Sequence, residues 1–251
     1  MRLNLFFLTL LFSFTFSKSN AQCPSGDVQL LSQAQVDNFV STYPNCTHIT
    51  GSLTFGQFNS SFNDISDISG FSSLTKIDGQ LGVFETVLTS LNGLNNLTEL
   101  GGLNIVKNHH LVTISELIHI TELSNGQVQI AENPLLLTLD GLNNVQKIHG
   151  RLHLGFNNDG LNSLEALSNL NHIGGLLNIR LQNIDSLAGL ESLTYVGEGV
   201  GIALCNQLTS IEALLNLVHV NGYIIVTRNP QLTSLNGLQN ISPELFGGVE
   251  N

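Results

Sequence analysis

A short repeat runs through most of this sequence and constrains its fold more than any other feature. Blocks of aliphatic residues restart every 23 to 25 residues, with starts at Ile65, Leu88, Leu111, Leu136, Leu161, Ile184, Leu208 and Leu232. Repeats of this length form solenoids, in which each repeat adds one turn of a coil and stacks on its neighbours. We therefore expect one continuous coil.

Within each block, aliphatic residues stand at the start and then three, six, nine and twelve residues later, as in Leu88, Leu91, Leu94, Leu97 and Leu100. Only the last block departs from this pattern, because Glu244 stands at its fifth position. A step of three residues falls about 60° short of a full α-helical turn, so a helix would spread these residues around its surface. The spacing favours short helical or 3₁₀ turns instead.

After the fifth aliphatic position, most blocks change to alternation with a period of two, which is typical of a strand. One strand per turn, with turns about 4.8 Å apart, predicts one parallel sheet along one side of the coil. The inward residues of these strands are Leu81/Val83, Leu103/Ile105, Val128/Ile130, Leu152/Leu154, Leu177/Ile179, Val200/Ile202 and Ile224/Val226. The fold class is therefore a mainly β solenoid.

A polar column follows the strands. Three residues beyond the second inward aliphatic of five blocks stand Asn108, Asn133, Asn157, Cys205 and Asn229. A side-chain amide at such a place can satisfy buried backbone groups of a turn, so we predict a structural ladder of these residues. We expect Cys205 to be a buried packing residue of the ladder; the alternative is a reactive thiol.

The N-terminus carries two further segments. Residues 1–21 have one arginine, an apolar run and small residues before the end, which is typical of a cleaved secretory signal peptide. Residues 22–48 form a predicted cap with a short helix that begins after Ser32, and we pair Cys23 with Cys46 across it. The solenoid then occupies residues 49–251, and its incomplete last repeat suggests a fragment of a longer protein.

Charge and side-chain chemistry exclude several functions. The chain has 8 basic and 19 acidic residues and a net charge of −11, which argues against nucleic acid as a partner. No acidic residue stands at an outward strand position, so we predict no enzyme and no catalytic residues. The histidines are too far apart along the pattern for a metal site, and we expect no cofactor.

The cap CPSGDVQLLSQAQVDNFVSTYPNC, the repeat LTSLNGLNNLTELGGLNIVKN and the segments ENPLL and RNPQL together resemble the receptor L domain family. The resemblance covers about Cys23 to Gln239. It implies a leucine-rich-repeat-like, right-handed coil with an N-terminal helical cap and a protein or glycan ligand on the sheet face. It also suggests a bacterial cell-surface type.

The expected function is that of an exported, cell-surface binding or adhesion module, secreted or outer-membrane associated, without a membrane-spanning segment after signal cleavage. Candidate ligand-binding residues are the outward Arg151, His153, Asn178 and Arg180, which lie on neighbouring predicted strands. One alternative is a structural spacer that displays other domains. Another is a polysaccharide-active β-helix enzyme.

Overall fold

The computed structural model describes residues 22–59, 63–155, 158 and 160–242. The predicted signal peptide at 1–21 lies outside the described residues. The described chain forms a coil whose turns contribute strands to one 15-stranded sheet, and neighbouring strands are parallel. A mainly β solenoid is thereby confirmed. The division into cap and solenoid at residue 48 stays a prediction.

The strands follow in chain order, and one α-helix interrupts them near the N-terminus. This helix, α1, spans Gln33–Thr42. The strands are β1 Val28–Leu30, β2 His48–Ile49, β3 Leu53–Gly56, β4 Lys76–Phe84, β5 Glu99–Val106, β6 Glu122–Leu123, β7 Val128–Ala131, β8 Lys147–Ile148, β9 Leu152–Gly155, β10 His172–Ile173, β11 Leu176–Ile179, β12 Tyr195–Val196, β13 Gly199–Ala203, β14 His219–Val220 and β15 Ile224–Thr227.

The sheet has two arms. The long arm runs β1, β3, β4, β5, β7, β9, β11, β13, β15, and the short arm runs β2, β4, β5, β6, β8, β10, β12, β14. Strands β4 and β5 pass through both arms. In later turns a corner separates the arms, and successive turns come so close there that a Cβ on Gly197 would lie 2.0 Å from the carbonyl oxygen of Gly174. Glycine is therefore required at this corner.

The side opposite the long arm alternates between two turn types. Every second repeat, starting with the first, contains a 3₁₀ turn, at Ser69–Phe71, Ser115–Leu117, Glu165–Leu167 and Glu212–Leu214. The repeats between them place a glycine with positive φ at the same position, for example Gly93 with φ 112°. A Cβ on Gly93 would lie 2.1 Å from the Ile68 carbonyl oxygen, so this glycine permits both the backbone angle and the close contact.

The aliphatic columns form a continuous core. Leu88, Leu111, Leu164 and their equivalents are almost completely buried, and their burial is the main stabilising contribution to the coil. In the last described turn the same columns are open: Leu235 is 57% exposed, while Leu164 in the same column is 0% exposed. The difference arises because no further described turn packs on that end.

The N-terminal end is covered by the cap. Cys23 and Cys46 form a disulfide, as predicted. Helix α1 begins after Ser32, whose Oγ accepts a hydrogen bond from the Gln35 N–H, and it buries Val36 and Phe39. The Phe39 ring stacks on Phe71 of the first repeat at 5.3 Å between centroids. This contact closes the core at that end.

Candidate functional site

The outward face of the long arm differs in composition from the rest of the molecule. Its strand positions carry amides, glycines and a few aromatic rings, and the described long-arm strands from β3 to β15 place no carboxylate there. Two cations, Arg151 and Arg180, stand directly beside strands β9 and β11. Alternation along each strand explains why these side chains point away from the core. On a chain with a net charge of −11, this face is therefore a local exception.

The predicted ligand residues lie together on this face, and we call them the sheet-face patch: Arg151, His153, Asn178 and Arg180. His153 in β9 and Asn178 in β11 are register partners on adjacent strands. Arg151 immediately precedes β9 and Arg180 immediately follows β11. The two arginines therefore flank the His153–Asn178 pair diagonally.

Gly155, which has no side chain, lies in the middle of the patch. The Arg180 N–H donates to the Leu154 carbonyl, so Arg180 lies beside Gly155 on the neighbouring strand. A Cβ on Gly155 would lie 2.7 Å from Nε2 of His153. Glycine at this position therefore leaves space for the imidazole next to the Arg180 side chain.

The electrostatics of the patch follow from this crowding. Burial lowers the pKa of His153, and the positive charges of Arg180 and Arg151 lower that pKa further. At neutral pH the imidazole is therefore uncharged and lies between two guanidinium groups. The patch can bind an anionic or hydroxyl-rich group without a metal ion.

A row of amides extends the patch toward the N-terminus. Asn104 Nδ2 donates to Gln80 Oε1 at 2.8 Å, and Gln127 Nε2 donates to Asn104 Oδ1 at 3.2 Å. Arg151 Nε in turn donates to Gln127 Oε1. The sequence prediction did not assign Gln80, Asn104 and Gln127 to the site. Gln80 and Gln127 stand in one outward column, and Asn104 stands in the next outward column, two residues along the strand.

The structural ladder lies at the end of the long arm. Asn108, Asn133 and Asn158 are buried, and each Asn side chain bonds to the backbone of its own and the preceding turn. Asn133 Oδ1, for example, accepts from the Asn108 N–H at 3.0 Å, and Nδ2 of Asn133 donates to the carbonyls of Ile105 and Ala131 at 2.9 Å each.

The ladder residue of the fourth repeat differs from the sequence prediction. The predicted Asn157 lies outside the described residues, and Asn158 occupies the ladder instead: its Oδ1 accepts from the Asn133 N–H at 2.8 Å. In this repeat the sequence between the strand and the next aliphatic block is one residue longer. The ladder residue Asn158 therefore stands three residues before Leu161 but is not three residues after Leu154.

Cys205 is buried and unpaired with another cysteine. Its N–H donates to Asn229 Oδ1 at 3.0 Å, and its Sγ lies 3.5 Å from the carbonyl oxygen of Ala203 and 3.8 Å from that of Ile179. These are the equivalents of the two carbonyls that Asn133 contacts. Burial raises the pKa of the Cys205 thiol, which disfavours the reactive thiolate.

Within the described ranges, no three histidine, cysteine or carboxylate side chains come together as metal ligands. No helix in those ranges is both long and apolar enough to span a bilayer.

The sheet-face patch and the stacked turns define a class of protein: solenoid scaffolds that present one face of a parallel sheet. Residues 45–147 match the family model of the receptor L domain, which confirms the resemblance over this segment. This segment is therefore similar to the receptor L domain, a type of module associated with extracellular ligand binding, and the disulfide is consistent with extracellular placement. Searches of curated proteins and of solved structures gave no significant match.

Proposed function

We propose that this protein is an exported, cell-surface binding module whose sheet-face patch recognises an anionic or hydroxyl-rich group of a protein or glycan. The observation that carries the proposal is the convergence of Arg151, His153, Asn178 and Arg180 on adjacent strands of an outward face without carboxylates. Two guanidinium groups and an uncharged imidazole suit a carboxylate or a set of hydroxyls.

The role of the patch is binding and not catalysis. General acid and base chemistry needs carboxylates or an unshielded base that converge on one point, and the described outward positions of the long arm supply only His153, between two cations. The amide row beside the patch adds donors and acceptors that are already oriented by one another. Such a preorganised polar surface binds with a smaller ordering cost. Export by the predicted signal peptide would place this surface outside the cell.

The test compares two variants that remove the same charge. Arg151→Ala/Arg180→Ala should weaken binding to an array of anionic and neutral glycans, and to cells, by at least about tenfold, because each lost charge-assisted hydrogen bond contributes about 1.5 to 3 kcal/mol. The control, Lys76→Ala/Arg228→Ala, removes two cations outside the patch. A loss of binding in the control, or none in the patch variant, would place the ligand elsewhere.

A further inference from the structure

A second row of outward side chains lies on the short arm, away from the sheet-face patch. Lys147, His172, Tyr195 and His219 are register partners on β8, β10, β12 and β14, and we call them the short-arm row. Successive members are about 4.8 Å apart, the spacing of neighbouring strands. His149, two residues after Lys147, lies beside them: its ring centroid is 6.4 Å from that of His172.

The rings of the row present their edges and not their faces. His172 and Tyr195 are stacked with centroids 4.5 Å apart and an angle of 2° between their planes. Each therefore covers a face of the other, and the edges that carry the imidazole nitrogens and the phenol oxygen remain for contact. Asn221 Nδ2 donates to the Tyr195 Oη at 2.9 Å, which fixes the phenol. The row is a line of hydrogen-bonding groups.

The charge of the row changes at mildly acidic pH. The row, with His149 beside it, contains the cation Lys147 and three imidazoles, those of His149, His172 and His219, and histidine is the side chain type that gains a positive charge on mild acidification. The groups alongside are Gln146, Asn171, Thr194 and Val218, which are uncharged. The neighbouring carboxylates are Glu122 and Glu198. Glu122 is the register partner of Lys147, and its Oε2 lies 3.8 Å from His149 Nε2, while Glu198 lies in the corner after β12. With the three imidazoles protonated, four cations face these two carboxylates.

We propose that the short-arm row binds an acidic polysaccharide, laid along the solenoid axis, and that it binds this polymer more tightly at mildly acidic than at neutral pH. A polymer with an acidic group on each sugar supplies repeated negative charge along a row that repeats once per turn, and its hydroxyls match the ring edges. Nucleic acid fits less well, because bases need exposed ring faces for stacking, whereas His172 and Tyr195 cover a face of each other.

Protonation and binding are linked in this arrangement. Burial lowers the pKa of His172, and the neighbouring His149 and Lys147 lower it further, so His172 resists taking up a proton in the unbound protein. A polyanion would offset that repulsion and raise the pKa of His172. Binding should therefore be accompanied by proton uptake.

The probe is polygalacturonate, and the measurement is titration calorimetry at low salt in buffers with different ionisation enthalpies. We expect binding to be about tenfold tighter near pH 5.5 than near pH 7.5, with proton uptake at the lower pH. His149→Gln/His172→Gln/His219→Gln should abolish this pH dependence. Glu122→Gln should strengthen binding, because it removes the carboxylate nearest to His149.

The matched control is His109→Gln/His110→Gln/His119→Gln, which removes three exposed histidines outside the row and should change nothing. The pH dependence separates this proposal from the sheet-face patch, because Arg151→Ala/Arg180→Ala leaves the histidines of the row in place and should not abolish that dependence. The proposal is wrong if polygalacturonate does not bind, or if His109→Gln/His110→Gln/His119→Gln abolishes the pH dependence while the short-arm variant retains it. It is also wrong if a single-stranded oligonucleotide binds as tightly.

Discussion

Asn133 offers the sharpest test of how the turns are held together. Its side chain is completely buried and joins three backbone groups: the N–H of Asn108 and the carbonyls of Ile105 and Ala131. Asn133→Ala removes these partners in a place that water does not reach. Each unsatisfied buried group costs about 1 to 3 kcal/mol.

We expect Asn133→Ala to lower the free energy of unfolding by about 3 kcal/mol. This value lies at the low end of the summed cost of the three unsatisfied groups. Two of them are carbonyls, and a carbonyl tolerates the loss of a donor better than an N–H tolerates the loss of an acceptor. In urea denaturation followed by circular dichroism, the midpoint should fall by about 1 M.

Two variants calibrate this result. Asn133→Cys should be less destabilising than Asn133→Ala, because Cys205 shows that a thiol can approach the two equivalent carbonyls. Asn229→Ala should cost only about 1 kcal/mol, since Asn229 is half-buried in the last described turn and water can replace its amide. If Asn133→Ala is as mild as Asn229→Ala, burial of the ladder does not stabilise the coil.

Three further predictions concern the core, the cap and the patch. Leu164→Ala should destabilise by roughly 2 to 5 kcal/mol, whereas Leu235→Ala, in the same column but 57% exposed, should cost less than about 1 kcal/mol in the same melts. Cys23→Ser should cost about 3 kcal/mol by opening a loop of 23 residues, and hydrogen exchange should show fraying confined to α1 and β1. The pKa of His153 is lower in the folded protein than in the unfolded chain, so below about pH 6.5 the unfolded chain binds more protons at this residue than the folded protein does. The free energy of unfolding should therefore decrease with acidification. Urea melts from pH 7.5 to 5 should show a smaller decrease in His153→Gln.

The sequence was sufficient for the architecture because inward and outward directions follow from local periodicity. The strand pairs such as Leu152/Leu154 and the aliphatic columns recur without interruption, and each turn must bury them against the next. The same argument could not find the short arm. Its later strands, such as β10 and β12, have only two residues, which is too short for a period of two to be recognised.

Other features depend on contacts between turns. The sequence does not reveal which repeats have a 3₁₀ turn and which have a positive-φ glycine, because glycine occurs at this position in both types: Gly70 stands in a 3₁₀ turn, and Gly93 has positive φ. The residue two positions later distinguishes the second type, since Asn95 Oδ1 accepts a hydrogen bond from the Gly93 N–H. The amide row was also missed, because it joins side chains more than twenty residues apart in sequence.

The stacking geometry also explains why both proposed surfaces are rows and not pockets. In a parallel coil, residues at equivalent positions of successive repeats become neighbours about 4.8 Å apart, so one change in a repeat alters one element of a continuous column. Arg151 continues the column of Gln127, His153 continues the column of Asn104 and Gln129, and His172 continues the column of Lys147. Each surface is therefore extended by a further turn without disturbing the core, because outward and inward residues alternate. Such surfaces suit extended ligands that contact several turns at once, and a ligand that contacts a single turn would gain nothing from this fold.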